Sequence, residues 1–125
     1  SLLLSEGTRH IEEGFYVSPD NILGRLLNKR KPRGLIGSNM SFSRKAIEDL
    51  NGFDEDFILP AIGEDADLNW RFRAAGYQFR SVRNLAIQYH LFHKENWKDQ
   101  SENAALMELK IAKNEFRCKN GLKKM

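Results

Sequence analysis

Ten of the chain's twelve glycines and prolines fall between positions 14 and 76, and they limit how long any element there can run. Glycine readily adopts the backbone that ends a helix, and proline cannot donate a helix hydrogen bond, so each marks a stop or a turn. Gly14 breaks a weakly strand-like run at 8–17. Ser18 offers a cap and Pro19 a first helical position for a helix in which Ile22, Leu23, Leu26 and Leu27 share one face, with Gly24 weakening it. Pro32 and Gly34 turn the basic run KRKPRG at 29–34. The stretch GLIGSNMSFSR at 34–44 reads as a buried strand with a special backbone position near Gly37. Ser43 then caps a helix striped by Ala46, Ile47 and Leu50, and Gly52 takes the left-handed position after it. Phe53 and Phe57 are expected to fold back onto the core. Leu68, Phe72 and Ala75 recur at helical spacing until Gly76.

After Gly76 no glycine or proline occurs until Gly121. Residues 77–92, YQFRSVRNLAIQYHLF, are β-rich and read as two short strands about a turn at Arg83 and Asn84. Leu106, Leu109, Ala112 and Phe116 form the stripe of an amphipathic helix over 101–119. The order is strand, helix, strand, helix, helix, strands, helix. It predicts an α/β layer arrangement with too few strands for a complete doubly wound sheet.

A chain of 125 residues is one domain or a piece of one, and 41% hydrophobic with 30% charged residues fits a globular core. A net charge of +3 gives no strong reason to invoke nucleic acid. The basic turn at 29–34 is read first as a solvated or acidic-ligand-facing loop. One cysteine, Cys118, excludes an intrachain disulfide and fits a reducing compartment. No apolar run reaches the roughly 18 residues of a membrane span.

The candidate chemistry lies at 64–67. Glu64, Asp65 and Asp67 crowd one helix start, where the dipole and free N–H groups favour carboxylates. Three acids exceed what capping needs, because they repel one another. Asp65 and Asp67 are two apart, so on a helix they point about 200° away from each other and do not chelate one ion. Asp54 and Asp56, in FDEDF, are read as turn caps. A general base needs a carboxylate facing a substrate hydroxyl, and the apolar loop ILPAIG at 58–63, with Pro60 and Gly63, suits the wall of a binding site. His90 and His93, three apart, suit one face from which both imidazoles reach a single cation. The alternative is a pair of surface or packed histidines in an aromatic patch.

In fixed order, GSNMSFSR, NGFDEDF, GEDADL, RAAGY and YHLFH resemble the C-terminal half of a family 2 glycosyltransferase of the GT-A fold, in the branch related to galactosyltransferases and chondroitin-type polymerases. The resemblance covers about residues 34–93. It implies a partial GT-A fold, a mixed sheet flanked by helices, with the nucleotide-binding half missing upstream. It implies inverting transfer of a sugar from a nucleotide-sugar donor to a carbohydrate acceptor hydroxyl. On that reading Asp65 is the base, Glu64 binds or orients the acceptor, and Asp67 is a substrate-binding, orienting or structural partner. Gly37, Ser38 and Asn39 lie beside the donor sugar, with Gly63 in the same site and Met40 and Phe42 in the core. Family members often have an acid where Ala66 stands, so that position is not essential here. His93, or His90, approaches a divalent Mn²⁺ or Mg²⁺ that neutralises the leaving diphosphate. As an isolated half, the chain is expected to turn over little and to pair with itself through open sheet edges. A cytoplasmic setting, at the inner face of the membrane in a longer parent, follows from the same likeness. The competing readings are a non-catalytic carbohydrate-binding or scaffolding domain, with Trp70, Trp97 and Tyr77 stacking on sugar rings, and a basic nucleic-acid module.

Overall fold

The computed structural model describes residues 14–59, 64–89 and 99–125. Among these, four helices form: α1 (Ile22–Asn28), α2 (Arg44–Asp49), α3 (Glu64–Ala74) and α4 (Ser101–Ala112). Their starts follow from short polar side chains. Asn21 Oδ1 accepts the Gly24 N–H at 2.6 Å and caps α1, so the cap is three residues later than Ser18. Ser43 Oγ accepts the Ala46 N–H at 3.2 Å and caps α2, as the sequence indicates. Asp99 holds the first residue of α4 through both its oxygens, taking the Ser101 N–H at 3.0 Å and the Ser101 hydroxyl at 2.9 Å.

Three helices end the same way. After α2 the Asn51 N–H reaches the Glu48 carbonyl and the Gly52 N–H reaches Ile47. After α3 Gly76 reaches Arg73 and Tyr77 reaches Phe72, and after α4 Asn114 reaches Ile111 and Glu115 reaches Lys110. This double closure needs a left-handed residue, supplied by Asn51 (φ 66°), Gly76 (φ 84°) and Asn114 (φ 52°). The α3 closure is sealed by an edge-on contact of Phe72 with Tyr77, centroids 5.6 Å apart. Asn114 also explains why α4 stops at Ala112 and does not run to Lys119.

The mixed α/β sheet expected from the sequence, and with it the partial GT-A architecture, is not what forms. Among the described residues there is no sheet, and the one β contact is a single bridge between Asn120 and Lys124. A strand persists only where a partner chain takes its backbone groups. In 34–43 the Leu35 and Gly37 N–H groups go to side chains of α3 instead. In the β-rich run the Leu85 and Ala86 N–H groups both turn back to the Val82 carbonyl, and Asn84 sits at φ 65°. The open sheet edges invoked for self-pairing are therefore absent among the described residues.

The chain divides into two units. In the first, Ser1–Arg33 with Phe79–Glu95, buried Asn84 is the junction. Its carbonyl accepts the Val17 N–H at 2.9 Å, its Nδ2 donates to the Phe15 carbonyl at 2.9 Å, and its Oδ1 accepts Arg30 Nη2 at 2.6 Å. The second unit, Gly34–Gln78 with Asn96–Met125, holds the core: Ala46, Leu50, Leu68, Phe72 and Cys118. Around it lies a buried polar frame. Arg71, fully buried, donates to the carbonyls of Leu50, Gly52 (2.9 Å) and Phe116 (2.9 Å) and pairs with Asp67 at 2.8 Å. Asn51 joins the same loop to the C-terminal segment through Cys118 O, Lys123 O and Lys123 N. A Cβ on Gly121 would stand 2.0 Å from the Asn51 carbonyl oxygen, so only glycine fits that crossing.

Candidate functional site

At the N-terminal end of α3, Asp65 and Asn69 are one turn apart and share a face. The loop that precedes α2 lies along that face. Asn69 Oδ1 accepts the Leu35 N–H at 3.3 Å, and Asp65 Oδ2 accepts the Gly37 N–H at 3.2 Å. Residues two apart on an extended segment thus meet residues four apart on a helix. The loop then closes a turn, with the Asn39 N–H on the Ile36 carbonyl at 2.8 Å and Gly37 and Ser38 between them. The special backbone position expected near Gly37 does not form: the described glycines at positive φ are Gly52 and Gly76, and this turn does not require a glycine.

Gly37, Ser38 and Asn39 are exposed, as is Glu64, while Asp65 is half-buried. A Cβ on Gly37 would lie 3.9 Å from Asp65 Oδ2 and 4.0 Å from Glu64 Oε1. Two stretches more than 25 residues apart in sequence are therefore brought to van der Waals distance, and five of the residues singled out from sequence share one patch. The second Asp65 oxygen accepts the Ala66 N–H at 2.7 Å. Both oxygens are thus oriented by backbone donors. Each keeps a further lone pair, and among the described residues no cation pairs with Asp65.

Asp67 faces the opposite way. It is 1% exposed, bound to Arg71 on one oxygen and to the Trp70 indole N–H at 3.1 Å on the other. Burial pushes its carboxyl above the ordinary value, and Arg71 offsets part of that rise. Asp67 therefore stands away from the Glu64–Asp65 patch, holding α3 in the unit. Asp54 and Asp56 are joined by a turn, the Asp56 N–H on Asp54 Oδ1 at 3.1 Å, and both also bind Lys110, at 2.7 and 2.6 Å. Met40 is half-buried, and Phe42, expected in the core, is 37% exposed and packs its ring on Phe72 and Phe53.

Gly63, His90 and His93 lie outside the described residues, as do Pro60 and Trp97. Among the described residues no group of three or more His, Cys, Asp and Glu side chains is placed to hold a metal ion. Asn69, the second anchor of the loop, was not singled out from sequence, although its place four residues after Asp65 puts it on the same face.

Residues 25–94 match the family model of the N-terminal domain of galactosyltransferase. The chain belongs to this galactosyltransferase family. The match begins within α1, at Arg25, and takes in α2, α3 and the whole Gly37–Glu64–Asp65 patch. Membership carries glycosyl transfer as the coarse activity, with a nucleotide-sugar donor and an acceptor as substrates. No curated protein and no solved structure matches the chain. No helix among the described residues is long and apolar enough to cross a membrane.

Proposed function

We propose that the α3 patch is the acceptor side of an inverting, family 2-like sugar transfer. The acceptor is a carbohydrate hydroxyl and Asp65 is the base. The acceptor oxygen forms its bond to the anomeric carbon as the bond from that carbon to the nucleoside diphosphate breaks. The leaving diphosphate keeps the electron pair, and the hydroxyl proton passes to the Asp65 carboxylate. Glu64, exposed beside it, orients the acceptor. The Gly37–Ser38–Asn39 turn lies against the donor sugar, with Gly63 in the same site. A divalent cation held by His93, with His90 as the alternative, belongs to the same reading and rests on the family resemblance of the YHLFH stretch.

The observation that supports the proposal is the Gly37 N–H bond to Asp65 Oδ2. It aims a half-exposed carboxylate at a turn made of small residues, where a sugar ring can approach the backbone closely. Asp67, taken up by Arg71 and Trp70, supplies no competing base. The test is sugar transfer from a panel of nucleotide sugars to oligosaccharide acceptors, measured on this chain and on any longer polypeptide that contains it. Asp65→Asn is expected to lower transfer by about 10²–10⁴-fold, the usual worth of a positioned base, with donor affinity unchanged. Transfer at the unaltered rate in Asp65→Asn would end the proposal.

A further inference from the structure

Helix α1 is built inside out. Its one buried residue is Gly24, whose Cβ, if present, would stand 1.9 Å from the Ser18 carbonyl oxygen, so the helix rests its glycine directly on the Ser18–Pro19 backbone. Of the four apolar residues that the sequence places on one face, Leu27 is half-buried, while Ile22, Leu23 and Leu26 are 79%, 56% and 58% exposed. At about 100° per residue these three span about 100° of the helix circumference, on the side away from Gly24. Single exposed aliphatic residues are ordinary, but three on one short helix form a patch, and patches mark contact surfaces.

The surroundings of this patch are cationic. Arg25 flanks it, and Lys29 and Lys31 follow directly after the helix, all three exposed. Among the described residues of this unit Asp20 is the sole acid, against seven Lys and Arg. The whole unit has nine Lys and Arg against five Asp and Glu, whereas the other unit has eleven against twelve. Nucleic acid would meet the cations but has no use for three aliphatic side chains, which cannot stack on bases. A neutral protein groove would meet the aliphatic residues but not the cations. A bilayer with anionic headgroups takes both at once, the aliphatic tips at the acyl boundary and the cations at the phosphates and carboxylates.

From this combination we infer that α1 and the Lys29–Lys31 turn dock the chain on an anionic lipid surface, lying on it and not crossing it. The inference is independent of the Asp65 patch, so the loss of one leaves the other standing.

The test is flotation of the full chain with two vesicle preparations, phosphatidylcholine alone and phosphatidylcholine with phosphatidylserine. Binding is expected on the phosphatidylserine vesicles and to weaken as salt rises. Lys29→Glu and Lys31→Glu should each reduce it about fivefold or more, and the pair Ile22→Ser, Leu26→Ser by about tenfold or more. These positions are exposed, and circular dichroism checks that the variants fold. As a second reading in a chain that keeps its charges, the indole added by Leu23→Trp should shift its emission to the blue on phosphatidylserine vesicles and not on phosphatidylcholine. No flotation, flotation insensitive to both sets of variants, emission from the Leu23→Trp indole that stays at its value in water, or tighter binding to RNA than to the vesicles would each overturn the inference.

Discussion

Arg71 shows how much one side chain can decide. Its guanidinium spans three stretches of chain, the loop after α2, α3 itself and the segment after α4, and its charge is balanced by one buried carboxylate. A buried pair of this kind contributes little compared with a well-packed apolar pair, but removing one partner strands the other charge without water. Asp67→Ala is therefore expected to cost about 3–5 kcal/mol of unfolding free energy, measured by urea titration. Asp65→Asn, in the half-exposed patch two residues earlier, should cost no more than about 1 kcal/mol. Equal losses would show that the two acids do not have the separate roles assigned to them. The opposed directions of Asp65 and Asp67 were legible in the sequence, because a helix turns residues two apart to opposite sides. The partner of Asp67 was legible too, as an acid followed four positions later by a base, but three carboxylates in a row drew attention to chemistry first.

At the scale of elements, the punctuation was readable and the pairing was not. Ser43, Asn84 and Gly76 do in the structure what their chemistry indicates, since caps and left-handed turns depend on residues a few positions apart. The strands assigned to 34–44 and, over its described residues 77–89, to 77–92 failed because β propensity reports a fit to a neighbour that the local sequence does not name. Helix α4 misled in another way. The apolar residues Leu106, Leu109 and Ala112 suggested the buried face, yet Leu109 is half-exposed and the buried side chains are Asn103 and Lys110. Both are satisfied from afar, Asn103 by the Leu59 carbonyl and Lys110 by Asp54 and Asp56. Burial alone would lower the Lys110 ammonium, but its bonds to the two aspartates outweigh this and hold it above its ordinary value. Lys110 and Asn120 in turn hold Asp56 below its own. The signs give a plateau. The Lys110 contribution is full below the ordinary lysine value of 10.5 and is lost as pH rises through the raised one. The Asp56 contribution is full above 3.8 and is lost as pH falls through the depressed value. Thermal unfolding followed against pH should show both shoulders, and Lys110→Met should be less stable on the plateau between them, with a smaller acid shoulder because only the Asn120 and Asp54 bonds then hold Asp56 low. An acid shoulder unchanged in Lys110→Met would contradict this assignment.

At the scale of the molecule the two units differ in how they are held. Among the described residues of the first, only Gly24 and Asn84 are buried, whereas the second encloses an apolar core and the Arg71 and Asn51 frames. Opening free energies follow buried contact. Native-state hydrogen exchange should therefore find the Val17 and Arg25 amides exchanging at least about tenfold faster than those of Cys118 and Leu122, which donate to the Leu50 and Asn51 carbonyls. Similar rates throughout would mean that the units open together. The family match runs from α1 into the segment beyond Tyr89, so it draws on both units and is not a property of the better-packed one alone.

The Cys118 sulfur ends up facing the Leu50, Asn51, Gly52 and Phe53 carbonyl oxygens, at 3.5–3.9 Å, with none of its surface open to solvent. Burial pushes its thiol above the ordinary value, and a ring of oxygens offers no welcome to a thiolate. An alkylating reagent then has to wait for the C-terminal segment to lift away from the α2 loop. The rate at which iodoacetamide marks this chain is consequently a clock for that lifting, and it should run faster in Asp67→Ala and keep its native pace in Asp65→Asn.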